Sequence, residues 1–190
     1  MLRLMPEDGH RLLQNDRLEA TFGGGEANVS VSLANFGLDT AYVTALPKND
    51  VGQAAINAMR YFGVDTSKIL RQGDRMGVYY VEKGQAQRPS KVTYDRKYSA
   101  ISMAAREDFH WDEIFEGATW FHFTGITPAL SPALREACMD ACKAAKERGI
   151  TVSCDLNYRK NLWSTQEAYD TMTKLMPYID VCIANEEDAE

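Results

Sequence analysis

From residue 100 onward, apolar runs of strand length alternate with amphipathic stretches of helix length, an order that predicts βαβ units and a parallel sheet. Strands are predicted at Thr119–Phe123, Ile150–Asp155 and Val181–Asn185. Between the first two, Pro132–Arg148 brings Leu134, Cys138, Ala141 and Ala145 to one face at helical spacing, and Gly149 supplies the stop. Gln166–Met176 repeats the pattern and is closed by Pro177. Nearer the start, Gly25–Phe36 and Gly52–Phe62 read as helices, each followed by a glycine (Gly37, Gly63), with a strand at Ala41–Leu46 between them.

Residues 1–22 and 74–99 follow a different rule. Short alternating segments (Leu2–Met5, Leu18–Phe22, Met76–Glu82 and Lys91–Tyr98) are separated by turn residues, the pattern of antiparallel strands. The expected architecture is an α/β layer with a small antiparallel sheet off one edge, built from two separate segments. Ligands of α/β sheets bind beyond the carboxyl ends of the strands, where such a sheet serves as a lid. The period of two places Tyr94 and Arg96 on one lid face, with Tyr80 as a further candidate and Tyr79 facing the other way. Val78, Tyr80, Val92 and Tyr94 together predict an apolar or aromatic face that a homodimer through the lid strands would bury.

Composition narrows the function classes. The chain has 190 residues, 45% of them hydrophobic, enough for one compact domain with a core. A net charge of −6 and a pI near 5.2 leave no basic footprint for nucleic acid or an anionic membrane. There is no apolar run of about 18 residues and no secretory leader pattern, so a cytoplasmic location is expected. Cys138, Cys142, Cys154 and Cys182 form no C-x-x-C pair and read as reduced structural thiols. His122 has no second histidine at ligand spacing and reads as a core or site-edge residue.

The chemistry-bearing candidates sit where strands end. Thr124-Gly125, Asp155-Leu-Asn-Tyr-Arg159 and Asn185-Glu-Glu-Asp188 each follow a predicted strand. Turn chemistry alone explains Asp155 and Asn157, and favourable charge at a helix start explains Glu186–Asp188. Three such junctions on one sheet point to a common rim. The run Gly23-Gly24-Gly25 stands before a helix, as a positive-φ turn or as a surface that a ligand touches through main-chain N–H groups. The dinucleotide fingerprint Gly-x-Gly-x-x-Gly is not met, because Gly25 is followed by Glu26, Ala27 and Asn28.

Four stretches, GGGEANVSVSLANFG, TALPKNDVG, DLNYRKNLW and ANEEDAE, resemble the PfkB or ribokinase-like carbohydrate kinases over essentially the whole chain, and within them the 2-keto-3-deoxygluconate branch. The resemblance implies a ribokinase-like three-layer α/β core with a β lid: one partial domain, with lid strands at about 1–22 and 74–99 and core at about 23–73 and 100–190. It implies transfer of the ATP γ-phosphoryl group, with Mg2+, to a sugar acid. Gly24, Gly25 and Asn28 would approach sugar hydroxyls, and Tyr80, Tyr94, Arg96 and Arg159 would hold the substrate. A carboxylate calls for the bidentate fork of arginine, for which a neutral sugar has less use. Asp155, Asn157, Asn185 and either Glu187 or Asp188 would lie in the nucleotide and metal-water region, with no direct metal ligand. The family's base, an Asp in a Gly-Ala-Gly-Asp turn, has no counterpart up to Glu190, so a truncated, substrate-binding half that is inactive alone is expected. A fructose or ribose kinase and a non-catalytic sugar-binding or assembly module are the alternatives.

Overall fold

A computed structural model describes residues 1–189. The chain divides into two compact units, one spanning Met1–Met103 and the other running from Ala104 onward. In the first, β1 (Leu2–Pro6) and β2 (Leu18–Phe22) precede α1 (Gly25–Asn35), β3 (Thr44–Leu46), α2 (Asp50–Tyr61), β4 (Ile69–Arg71), β5 (Val78–Glu82) and β6 (Lys91–Asp95). Four of these strands make one sheet in the order β2-β1-β5-β6, so the two lid segments do combine.

The β1–β2 and β5–β6 pairs are antiparallel, as expected, but β1 and β5 run parallel. The cause is where the chain leaves and re-enters the sheet. Phe22, the end of β2, and Val78, the start of β5, are both register partners of Leu2. After the intervening α/β segment the chain therefore re-enters at the end where β1 begins, and can only run alongside it. Leu2 and Phe22 pack on Leu46, Ala55, Ile56, Ile69 and Met76, so this end of the lid sheet belongs to the unit's own core.

A loop of two short 3-10 turns between β1 and β2 is strapped to the β5–β6 hairpin. Arg11 pairs with Glu82 at 2.6 Å, the Leu12 N–H donates to the same carboxylate at 3.0 Å, and Arg88 donates to the Gly9 carbonyl. The Arg11 guanidinium, with that amide, holds the Glu82 carboxyl below its usual range. Helix α2 starts earlier than the apolar pattern implies because the Asn49 side chain accepts from the Gly52 N–H at 3.0 Å and so caps Asp50 and Val51 into the first turn. Strand β3 is shorter than expected, Ala41 making only an isolated bridge to Asp65.

In the second unit, α3 (Trp111–Ile114), β7 (Trp120–Thr124), α4 (Ile126–Leu130), α5 (Pro132–Glu147), β8 (Thr151–Asp155), α6 (Thr165–Leu175), β9 (Val181–Ile183) and α7 (Glu186–Ala189) follow the predicted alternation. The three strands are parallel, in the order β7-β8-β9. Ser131 caps α5 by accepting from the Leu134 N–H, with Pro132 in the first turn, and Ser164 and Glu167 form a capping box on α6. Phe123, Val152 and Cys154 form a core with Cys138, Ala141, Cys142 and Ala145 of α5 and Met172 and Leu175 of α6. All four cysteines are free thiols. Three are buried, and burial pushes Cys142 up to about 12, whereas Cys182 on β9 is exposed. His122 lies with Nδ1 2.8 Å from Ser153 Oγ, and the described residues include no cluster able to hold a metal ion. No helix among them is long and apolar enough to cross a membrane.

The tightest backbone approach is at Gly52, where a Cβ would stand 2.1 Å from the Pro47 carbonyl oxygen. That oxygen also accepts from Arg71 Nη2 at 3.0 Å and has little freedom to retreat. Gly52→Ala is expected to lower stability by about 1–3 kcal/mol in urea unfolding, while the exposed neighbour change Val51→Ala stays within about 0.5 kcal/mol.

Candidate functional site

In the first unit the strand registers decide which side chains share a face. Arg3 stands opposite Thr21 on one side and Tyr79 on the other, and Tyr79 stands opposite Tyr94. Register partners point the same way, so Thr21, Arg3, Tyr79 and Tyr94 form a row across the sheet. The Tyr79 and Tyr94 rings stack with centroids 6.0 Å apart, and the Arg96 guanidinium lies over the Tyr94 ring at 4.4 Å. The expected pairing of Tyr94 with Arg96 is therefore present. Tyr80 is a correction: it stands opposite Thr93, on the reverse face, and Tyr79 takes the place expected for it. The sequence Val78-Tyr-Tyr-Val81 is apolar or aromatic at both parities, so alternation alone could not choose. The four residues expected on one apolar face divide accordingly, Val92 and Tyr94 lying with Tyr79 and Val81, and Val78 with Tyr80.

Asp95, just before Arg96, faces away. Its carboxylate pairs with Arg75 at 2.7 Å, which holds it below the usual carboxylate range. The guanidinium of Arg96 and the carboxylate of Asp95 are thus kept on opposite faces by strand alternation.

The glycine run closes on the same row, and its members act for different reasons. At Gly23 a Cβ would lie 3.0 Å from the Tyr79 hydroxyl and 3.4 Å from Asn28 Oδ1, so protein side chains already occupy that space. Gly24 has φ +155, a conformation left to glycine, and only the Ala27 Cβ, at 3.9 Å, lies near its open side. As the residue capping α1, Gly24 offers no side chain to the first-turn N–H groups, which leaves them to a ligand or to water. Gly23 and Asn28 thus stand near the Tyr79 hydroxyl, Tyr94 stacks on the Tyr79 ring and carries Arg96, and Gly24 and Gly25 follow Gly23 in the chain. Sequence reasoning missed Tyr79, Thr21 and Arg3; the signal for the last two was that they alternate with Leu2, Leu4, Ala20 and Phe22.

In the second unit the ends of the parallel strands are pressed together. The Gly125 N–H donates to the Asp155 carbonyl at 2.8 Å, and a Cβ on Gly125 would meet the Leu156 carbonyl oxygen at 2.2 Å. Asn157 takes the left-handed conformation, φ +41, and the next amide, of Tyr158, donates to Asp188 Oδ1 at 2.7 Å. Asp188 Oδ2 accepts from the Asn185 N–H at 3.2 Å, while Asn185 Oδ1 accepts from the Asp188 N–H at 2.9 Å. Both oxygens of Asp188 are therefore engaged by backbone, and the carboxylate staples the turn after β8 to the start of α7. Glu187 is exposed, and Asp155 and Asn157 are half-buried. Arg159 is exposed, with its guanidinium 3.4 Å from the Tyr158 carbonyl oxygen.

The sequence profile of the pfkB family carbohydrate kinases matches residues 3–190. The chain is 38% identical over 188 residues to the 2-dehydro-3-deoxygalactonokinase of Haloferax volcanii, a match covering 99% of this chain and 59% of that protein. It is 30% identical over 144 residues to the 2-dehydro-3-deoxygluconokinase of Bacillus subtilis, covering 75% and 44%. Its structure matches the crystal structure of 2-dehydro-3-deoxygluconokinase from Thermotoga maritima with a TM-score of 0.99 at 55% identity, over 100% of this chain and 58% of that one. The α/β architecture with parallel sheets is that of these proteins, of whose length the chain spans less than two thirds.

The staple generates a direct expectation. Asp188→Ala should speed hydrogen exchange of the Tyr158 amide by about tenfold or more, as for loss of a charge-assisted hydrogen bond, whereas Glu187→Ala should leave it unchanged. Equal exchange in both variants, read by NMR, would show that Asp188 does not hold this turn.

Proposed function

We propose that this chain, which belongs to the pfkB family carbohydrate kinases, binds the sugar acid in a kinase that transfers the γ-phosphoryl group of ATP to 2-dehydro-3-deoxygluconate. The observation that carries the reading is the first unit's row of Tyr79, Tyr94 and Arg96 beside an uncapped glycine-led helix start. A sugar acid presents hydroxyls and one carboxylate. Backbone N–H groups after Gly24, the Asn28 carboxamide and the Tyr79 hydroxyl suit the former, and the Arg96 fork suits the latter. A site that hydrogen-bonds each hydroxyl rejects analogues that would leave its buried groups unpaired. Arg159, exposed on the second unit, is kept as a candidate by the sequence resemblance.

Phosphoryl transfer is mostly positioning and charge stabilisation around the phosphates. Mg2+ would be carried by those phosphates and neutralise their charge. On this chain the side chains suited to its water shell are Glu187 and Asn185, with Asp155 and Asn157 at the neighbouring turn. Asp188 stands as a candidate beside them, each of its oxygens accepting one backbone N–H and keeping a further lone pair, and it also holds the turn that bears Arg159.

Substitution separates the acid from a neutral sugar. Arg96→Ala should weaken binding of 2-dehydro-3-deoxygluconate by about 2–5 kcal/mol, the range for truncating one partner of a desolvated charge pair, and change binding of an uncharged analogue far less. Arg159→Ala losing less than about 1 kcal/mol would mark Arg159 as a surface charge only. Equal affinity of the unsubstituted protein for acid and neutral analogue, measured by calorimetry, would overturn the sugar-acid reading.

A second copy of the chain is the proposed partner of the lid. Strand β6 is an outer strand with every residue exposed, Val92 at 43% and Tyr94 at 42% among them, an edge that water covers poorly. Sedimentation at micromolar concentration should give a dimer, and Val92→Glu should shift it toward monomer; a monomer before substitution would remove this partner.

A further inference from the structure

We infer that Arg3 is a specificity-determining cation of the same sheet face, placed to meet the carboxylate of the bound sugar acid; this deepens the sugar-acid reading above and rests on it. Alternation on β1 sends Leu2 into the core with Leu46, Ile56 and Ile69, and so turns Arg3 to the opposite face. There β1 is an inner strand, and Arg3 lies between its two register partners, Thr21 and Tyr79. Tyr79 in turn touches the space of Gly23 and Asn28 with its hydroxyl and stacks on Tyr94, which carries Arg96. Arg3 is thus in the row already assigned to the substrate.

Its own bonding points to an anion supplied from outside the chain. Arg3 Nε donates to Thr21 Oγ1 at 2.8 Å, which fixes the guanidinium while asking only one of its five donors. Arg3 is half-buried and makes no ion pair among the described residues; Arg71 and Arg88, also half-buried and outside the ion pairs, are held by main-chain carbonyls, whereas Arg3 has the Thr21 hydroxyl. A partly desolvated guanidinium without a counter-charge costs stability. Such a group is retained where a ligand completes it, and its removal then stabilises the empty protein while impairing binding. Glutamate occurs on both neighbouring strands, as Glu19 on β2 and Glu82 on β5 show, yet the residues flanking Arg3 in register are a threonine and a tyrosine, which orient a cation without neutralising it.

The test is thermal unfolding of this chain in sodium gluconate, in glucitol, and in sodium chloride matched to the ionic strength of the gluconate, for the unsubstituted protein, Arg3→Gln, Arg3→Lys and Arg96→Ala. The expected result is a higher midpoint in gluconate than in either control, an increment that falls by half or more in Arg3→Gln and is partly restored in Arg3→Lys, which keeps the charge without the fork. Should Arg3→Gln fail to fold, a smaller gluconate increment in Arg3→Lys than in the unsubstituted protein supports the inference, and an undiminished one overturns it. A full increment in Arg3→Gln alongside a lost one in Arg96→Ala overturns the role of Arg3 and leaves the sugar-acid reading standing. No difference between gluconate and glucitol in the unsubstituted protein overturns that reading and this inference together.

Discussion

The parallel pairing of β1 with β5 is the constraint on which the first unit depends. It joins segments about 75 residues apart in sequence, Leu2 to Val78 and Arg3 to Tyr79, and so sets which side chains of four strands share a face. Because Phe22 also pairs with Leu2, the same register delivers the glycine run to the row that contains Tyr79. A shift of one residue between β1 and β5 would send Tyr79 to the reverse face and put Tyr80 beside Arg3, since side chains alternate with a period of two. Apolar packing of Leu2 and Phe22 on the α/β layer opposes that slip, because it would cost buried contact at one end of the sheet. Core and site are two faces of one register.

The second unit solves a related problem with side chains in place of a sheet. Parallel strands end in turns that have no ladder to hold them, and polar groups in such turns bond their own backbone. Here the turn after β8 is held from three directions. Gly125 donates to Asp155, the Leu156 N–H extends the ladder to Ile183, and Asp188 accepts from Tyr158. The left-handed Asn157 is what aims the Tyr158 amide at Asp188. Asn185 and Asp188 cap each other reciprocally, so a short motif read from the sequence as a metal-water site also has a mechanical use.

Most helices and core strands were legible because their signals are local. Ser131-Pro132 and Ser164 through Glu167 announce helix starts, and glycine or proline announces the ends. Boundaries moved where a cap outweighed the apolar pattern, as at Asn49. The lid was legible as strands but not as a sheet. Parity is local, whereas the pairing of β1 with β5 depends on the end of the sheet at which the chain returns. Tyr79 and Tyr80 are equally good strand residues, and only the pairing with β6 separates them. Asp188 and Glu187 likewise differ by one methylene and one position in sequence, and the amides of Tyr158 and Asn185, both bonded to Asp188, distinguish their placement.

The dipeptide Asp95-Arg96 shows how alternation makes one charge useful by disposing of the other. In a loop the two side chains could pair and cancel. On and just past a strand they cannot, because they point to opposite faces. Arg75 takes the Asp95 carboxylate on the reverse side, supported by its bonds to the Asp95 and Lys97 carbonyls. Arg96 is instead laid over the Tyr94 ring, whose electron-rich face favours a cation there. That ring restrains the guanidinium before any ligand arrives, so less side-chain freedom is lost on binding than for an arginine held only by water. Tyr79, stacked behind Tyr94, restrains the ring in turn and keeps its hydroxyl beside Gly23 and Asn28. Positive charge, ring order and hydroxyl position on this face are therefore coupled, and a change at Tyr79 would reach Arg96 without touching it.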